Sequence, residues 1–423
     1  MSKFAILDKE NTMSAVLKVV GVGGGGCNAI ESMIKRGLSG VEYVAINTDA
    51  QVLEKSSAHH KIQIGTNITR GLGAGADPNV GRKAVEEDSE KISRVLEKSD
   101  MVFITAGMGG GTGTGASPTV ASIAKRMGAL VIGIVTKPFR WEGKKRMLNA
   151  EEGIHDLRQY VDSLIVIPNE RILNHIDMST SAHKAFDKPN EVLYEATRGI
   201  ADIITIPGFI NVDFADVRSV MNQSGEALMG CGIASGDNRA IEAAQKAIQS
   251  PLLEGVSIKG AKNILLNITG SSNLTIQEID EGNRIIQEAA GEEANIIFGF
   301  VNKEEMNEYV SYTVIATGFD SHGALNGLNT YTPQKTEKEK KASPISGFDP
   351  KKFEVEHTED LDVPTIFRVK GNPGINTFKE QPLTSGGFKI EKYDTFDAGI
   401  RTKKVEKKVE EEDSSSFLRM MMD

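Results

Sequence analysis

Apolar positions along the chain fall into short unbroken runs separated by segments of helical spacing. The runs at 15–21 (AVLKVVG), 43–47, 61–64, 101–105, 130–135 and 163–168 carry few polar residues, as strands buried on both faces do. Between them, 29–35, 80–98 and 119–127 repeat apolar residues at three and four. Strands alternating with helices predict a doubly wound parallel α/β sheet. A long helix follows at 186–206, with Val192, Leu193, Ala196, Ile200 and Ile203 on its buried side. Beyond it, strands at 264–268, 296–300 and 311–316 and helices at 238–250 and 275–290 predict a second α/β domain with a mixed sheet.

Three glycine-rich stretches punctuate the first half, each after a strand-like run. The richest, AGMGGGTGTGASP at 106–118, holds Gly107, Gly109, Gly110, Gly111, Gly113 and Gly115 between a strand and a helix. Residues without Cβ let backbone N–H groups come close to a ligand, and the N-terminus of the following helix favours an anion, which suits a di- or triphosphate. Thr112 and Thr114 add hydroxyls. The first stretch, Gly21 to Asn28, satisfies G-x-G-x-x-G, and Glu42 or Asp49 could serve as the acidic residue of a dinucleotide fold. A dinucleotide needs one such loop, whereas a third lies at 71–77 (GLGAGAD). Loops converging at the carboxyl edge of one parallel sheet would wrap a single phosphate chain. None has the lysine of G-x-x-x-x-G-K-[ST], so a P-loop is excluded and backbone amides must hold the phosphates.

Further candidates follow the strands. After 130–135 come Pro138, Glu142 and Arg146; Glu142 and Arg146, four apart, read either as a surface ion pair or as contacts to ribose and phosphate. Asn169 ends the next strand, placed to meet a base. Phe186 and Asn190 sit one turn apart near the start of the long helix, where a ring could stack on a purine and an amide read its edge. In NVDFADVR at 211–218, Asp213 could cap a helix with Asp216 in its first turn, or the two acids could act with Asn211.

Composition narrows the class. Among 423 residues, 39% are hydrophobic and 25% charged, as in a soluble globular chain, and the net charge of -9 argues against a nucleic-acid partner. Two cysteines, Cys27 and Cys231, supply neither a disulfide framework nor a metal cluster, which fits a cytoplasmic setting. No apolar run reaches membrane-spanning length and the first 13 residues lack a signal-peptide core, so membrane contact is expected to be indirect. From about 320 the hydrophobic pattern ends, and the charged stretch 334–349 reads as a disordered tether. Two apolar islands interrupt it, Asp360 to Arg368 (DLDVPTIFR) and Ser416 to Asp423, each the kind of segment that folds on a partner.

With these motifs in hand, the chain from about 15 to 318 resembles the FtsZ family of bacterial tubulin-like cell-division GTPases. The likeness rests on GGGTGTG at 109–115, supported by NVDFADVR and by TKPF and EGKKR within 136–146. It implies a tubulin-like fold in which residues 1–12 are flexible, 13–185 bind GTP, 186–208 form a central helix, 209–318 form an activation domain and 319–423 a disordered linker with a partner-binding tail. It further implies GTP or GDP held by Gly24, Gly25, Gly26, Cys27 and Asn28, by Ala74, Gly75, Ala76 and Asp77, and by 107–115, with Pro138, Glu142 and Arg146 near sugar and phosphates. Asn169, Phe186 and Asn190 would hold guanine. Many members carry Asp where this chain has Asn190, which implies a looser guanine preference. The family's partner-binding peptide usually ends the chain, whereas DLDVPTIFR lies well before the terminus.

The implied mechanism is shared between molecules. Copies stack head to tail, and Asp213 and Asp216, supported by Asn211, position water at a neighbour's γ-phosphate, with Mg²⁺ on the β- and γ-oxygens and Asp49 as an outer partner. A heterologous contact that does not close gives a filament. The tail islands would bind membrane-anchoring and regulatory division proteins, bringing a cytoplasmic polymer to the inner face of the cell membrane. A plasmid-segregation or cell-shape filament would share this chemistry. A nicotinamide-dependent oxidoreductase would instead bind NAD and turn over no GTP.

Overall fold

The six apolar runs of the first half each form a strand. The structure, a computed structural model, describes residues 15–319 apart from 174, 175, 177, 178, 207, 211, 254 and 255, so Asn211 and both tail islands lie outside the described residues. β1 (Leu17–Val22), β2 (Glu42–Asn47), β3 (His60–Gln63), β4 (Met101–Gly107), β5 (Leu130–Lys137) and β6 (Ser163–Pro168) form a parallel array in the order β3-β2-β1-β4-β5-β6. This is the doubly wound order, whose reversal between β1 and β4 leaves a crevice at the carboxyl ends of the strands.

Period-two alternation sends each strand's side chains to two separate cores. Leu17, Val19, Met101 and Phe103 meet α1 (Gly23–Lys35) and α9 (Ala182–Thr205) on one face. Val20, Val22, Val102 and Ile104 meet α4 (Pro78–Glu87), α5 (Ser89–Leu96), α6 (Thr112–Arg126) and α7 (Lys144–Arg158) on the other. Burying a side chain such as Phe103 completely stabilises the fold by about 1.5–3 kcal/mol. The helical run expected over 80–98 is two helices, because Asp88 leaves helical geometry and accepts a hydrogen bond from Gly65 N–H at 2.8 Å. Short helices α2 (Ala50–Lys55), α3 (Thr66–Thr69) and α8 (Asn169–Leu173) fill the connections.

The second half continues the same sheet. β7 (Gly225–Ser235) pairs in parallel with β6 and antiparallel with β10 (Tyr309–Thr317), which pairs antiparallel with β8 (Asn263–Gly270); β9 (Asn295–Asn302) closes the edge parallel to β8. The expected mixed sheet is therefore an extension of the parallel one, ten strands in all among the described residues. β7 is not evident from its sequence, since two glycines interrupt the apolar stretch of GEALMGCGIAS and weaken its strand signal. Its glycines serve packing: a Cβ on Gly232 would lie 2.5 Å from the backbone nitrogen of Ala247, so α11 (Arg239–Ile248) rests directly on the strand. With α12 (Ile276–Ala290), α11 covers one face, while Met229, Leu265 and Ile315 on the other join the core beneath α9 and α10 (Phe214–Met221).

α9 is the structural link between the halves. Ser181 caps its first turn by accepting from Lys184 N–H. Near its far end Asp202, almost fully buried, pairs with Lys303 Nζ at 2.6 Å and Arg198 Nε at 3.2 Å, fixing the helix against the turn after β9. Removing one partner from such a buried pair leaves a charge uncompensated, which costs about 3–5 kcal/mol.

A candidate nucleotide site at the strand ends

α1 begins at Gly23 and α6 at Thr112, so the glycine stretches expected to be loops are partly first turns of helices. Helical geometry then sorts their residues. Gly24, Gly25 and Asn28 are exposed on one side of α1, whereas Gly26 and Cys27 turn into the protein. Cys27 packs in the core beside Asn47, whose Nδ2 lies 3.8 Å from Sγ, and burial pushes its thiol up to about 12. The two helix starts are pressed together: a Cβ on Gly23, which has φ +72°, would stand 2.6 Å from Gly113 N, and one on Gly25 3.0 Å from Gly107 N. Two sets of unpaired helix N–H groups, each with partial positive charge, thus face one space.

That space is a cavity of about 760 Å³ at the carboxyl edge of the sheet. Gly24, Gly25 and Asn28 line it after β1; Gly107, Gly110, Gly111, Thr112 and Gly113 after β4; Pro138, Glu142 and Arg146 after β5; Asn169 after β6; Phe186 and Asn190 from α9; and Ala74 and Ala76 from the third glycine stretch. In that stretch the left-handed backbone of Gly75 (φ +58°) continues through Ala76 (φ +61°), a conformation an alanine takes only at some cost. A smaller cavity of about 290 Å³ adjoins, and Gly75, Asp77 and Thr114 face it instead. Asp77 is occupied in capping α4, accepting from Asn79 N–H at 2.9 Å, and Thr114 Oγ1 accepts from Gly109 N–H at 2.9 Å. Gly109 and Gly115 make room for neighbouring backbone, at Arg146 O and Pro78 O respectively, so their glycine character comes from packing.

Gly24 and Gly110 are different. A Cβ on either would meet nothing within 4 Å, and neither has positive φ, so nothing in the protein itself demands glycine there. Both line the cavity, and a ligand held against the backbone explains them. No lysine lines the cavity among the described residues, and Arg146 is already paired with Glu142.

The base end is aromatic and amide-rich. Phe186 stands edge-on to Phe139 and to Trp141, both at 5.9 Å between ring centroids, while Phe139 and Trp141 stack at 5.3 Å. Asn169 is buried, and its Oδ1 has no hydrogen-bond partner, an acceptor awaiting a ligand donor. Glu142 also accepts from Phe139 N–H at 2.9 Å, which fixes the turn leading into α7. Sequence reading did not assign Asn47, Thr136, Phe139, Pro189 or Leu193 to the site, though all line the cavity. Asn47 ends β2 and Thr136 lies in the last turn of β5, positions the carboxyl-edge rule would have flagged.

Asp213 and Asp216 are elsewhere. Asp213 caps α10, accepting from Asp216 N–H at 2.8 Å, and both are exposed. Arg218 of that helix donates to Gly128 O at 2.8 Å, just before β5 begins, so α10 sits at the amino edge of the strand whose carboxyl edge borders the cavity. α9 separates the two places: its 24 residues span about 36 Å at 1.5 Å each, with Phe186 and Asn190 in its opening turns and Asp213 beyond its end.

A doubly wound sheet whose strand ends and two helix starts enclose one cavity large enough for phosphates and a purine defines the class of nucleotide-binding proteins. Comparison with known proteins narrows this class. Residues 16–177 match the Tubulin/FtsZ family, GTPase domain, and residues 225–320 match the FtsZ family, C-terminal domain. An FtsZ dimer from M. jannaschii, solved empty, is 44% identical over 73% of this chain and 90% of its own, with a TM-score of 0.70. CetZ2 from Haloferax volcanii, solved as a GTPγS-bound protofilament, shares the fold at 18% identity over 73% of this chain and 95% of its own, TM-score 0.62. The chain belongs to the FtsZ family of tubulin-like cytoskeletal GTPases. A guanine nucleotide is therefore the ligand of this family's GTPase domain, and the dinucleotide reading of the first glycine stretch falls away. Among the described residues no helix is long and apolar enough to cross a membrane.

Proposed function

We propose that the chain hydrolyses GTP in a site shared by two copies stacked head to tail, and that the resulting filament builds the cell-division ring. The observation that carries this is the separation of Asp213 and Asp216 from the cavity, across the sheet and the length of α9. One molecule holds the nucleotide; its neighbour brings the acids. Exposed apolar side chains at both ends favour the contact: Leu72, 83% exposed, adjoins the cavity-lining Gly73, and Phe209, 82% exposed, precedes Asp213.

Within the cavity, the amides of Gly24, Gly25, Gly110 and Gly111 cradle the phosphates, Glu142 and Arg146 meet the sugar side, and Asn169, Phe186 and Asn190 hold guanine. From the neighbour, the Asp213 and Asp216 carboxylates accept from the attacking water and orient it in line with the γ-phosphate; Asn211, outside the described residues, supports them. Mg²⁺ would supply charge neutralisation along the phosphate chain. No group of three or more His, Cys, Asp or Glu suited to a metal occurs among the described residues, and Asp49, which lines the cavity while capping α2, would serve as an outer-shell partner.

The test is GTPase rate per molecule against protein concentration, with light scattering in GTP and in GDP. The rate should rise steeply through a threshold at which scattering appears only with GTP. A rate independent of concentration would overturn the shared site. A second expectation concerns residues 320–423. A chain ending at Phe319 keeps β10 intact and should assemble with GTP much as the full chain does, while losing recruitment to the membrane through the 360–368 or 416–423 segment. Loss of assembly in that truncation would contradict the tether reading.

A further inference from the structure

Asn190 lines the base end of the cavity and donates its Nδ2–H to Asp187 Oδ1 at 3.2 Å. Asp187 stands one turn earlier on α9 and is not part of the cavity wall. Its other oxygen lies 3.4 Å from Arg36 Nη2, at the end of α1. Arg36 is itself braced, donating from Nε to Ser32 Oγ at 3.2 Å, lying 4.0 Å from Glu191 and sitting 5.7 Å from the centre of the Tyr194 ring. The carboxylate of Asp187 is thus anchored from behind while it touches Asn190.

An ionised carboxylate only accepts hydrogen bonds, so only the NH₂ end of the Asn190 amide can face it. The carbonyl end must turn away from Asp187. We propose that Asp187 is a positioning residue that fixes the Asn190 amide with its oxygen presented to the base, and thereby sets the purine preference of the site. This rests on the guanine-nucleotide reading above. A fixed acceptor suits a base edge that carries N–H groups, as guanine does at N1 and at its 2-amino group. Adenine offers a bare N1, and two acceptors facing each other leave both unpaired, which is costly away from water. A neutral amide free to flip could serve either edge. Backed by Asp187, Asn190 discriminates as a one-way acceptor.

The test is equilibrium binding of GDP, IDP and ADP to the full chain and to three variants: Asp187→Asn, Asn190→Asp and the exchange of both. Thermal melts would accompany each to check folding. Asp187→Asn keeps the size of the side chain and leaves Arg36 its contacts to Ser32 and Glu191, but lets the Asn190 amide turn over. Its GDP-to-ADP affinity ratio should fall about tenfold, and its GDP-to-IDP ratio should fall as well. Asn190→Asp sets two carboxylates against each other and should weaken GDP. The exchanged pair restores one donor facing one carboxylate and should return GDP affinity and preference to within about threefold of wild type. Unchanged ratios in Asp187→Asn, or a double variant whose effect is the sum of the singles, would overturn the positioning role alone. Equal binding of GDP and ADP by the wild-type chain would overturn the guanine reading and this inference with it.

Discussion

Replacing Asp213 by Asn should lower the GTPase rate of the assembled protein at least about a hundredfold while leaving GDP affinity within about a factor of two. Asn is nearly as good an N-cap as Asp, so the variant keeps the bond to Asp216 N–H and the start of α10. What it loses is charge on the water-positioning group. Asp213→Ala loses both, and should melt earlier by an amount matching about 1 kcal/mol for the missing cap. The comparison separates the residue's two roles, helix cap and water-positioning acid. If Asp213→Asn turns over GTP at the wild-type rate and only Asp213→Ala is impaired, the acid is a helix cap and nothing more. Mixing either variant with wild type sharpens the result. Its nucleotide pocket is intact, so mixed filaments should retain activity at every junction where a wild-type copy supplies the acids.

The second large effect is a contrast between adjacent glycines. Gly24→Ala and Gly110→Ala place a methyl in open space, so the nucleotide-free protein should melt at or slightly above the wild-type temperature. GDP affinity should nevertheless fall about tenfold to a hundredfold, because the methyl stands where the ligand meets the backbone. Gly23→Ala should do the reverse. It forces a left-handed alanine and a contact of 2.6 Å with Gly113 N, costing roughly 2–4 kcal/mol of stability from the two sources together. Thermal melts with and without GDP distinguish them. Gly24→Ala or Gly110→Ala proteins that bind GDP as tightly as wild type would place the phosphates elsewhere.

Much of this architecture was legible in the sequence. Six apolar runs gave the six parallel strands, since strands buried on both faces must be apolar throughout. Each glycine stretch supplies residues to the cavity, and Pro138, Glu142, Arg146, Asn169, Phe186 and Asn190 all line it. β7 escaped notice because its glycines answer to α11, a neighbour no local pattern reveals. Cys27 and Gly26 were grouped with the site because the stretch reads as a loop, whereas its helical turn sends them to the core. That Asp187 touches Asn190 and is itself met by Arg36 from the end of α1 was likewise hidden, because Arg36 lies far from α9 in the chain.

Strand runs, helix periodicity and the chemistry available at each strand end are local properties, readable from residues close together in the chain. The packed fold alone sorts the glycines that make room for neighbouring backbone from those that face the open cavity. It also decided that Asp213 and Asp216 stand at the far edge of the sheet from the nucleotide cavity. Both are relations between segments distant in sequence, fixed when α1, α6 and α9 pack on the sheet and bring their ends to defined places.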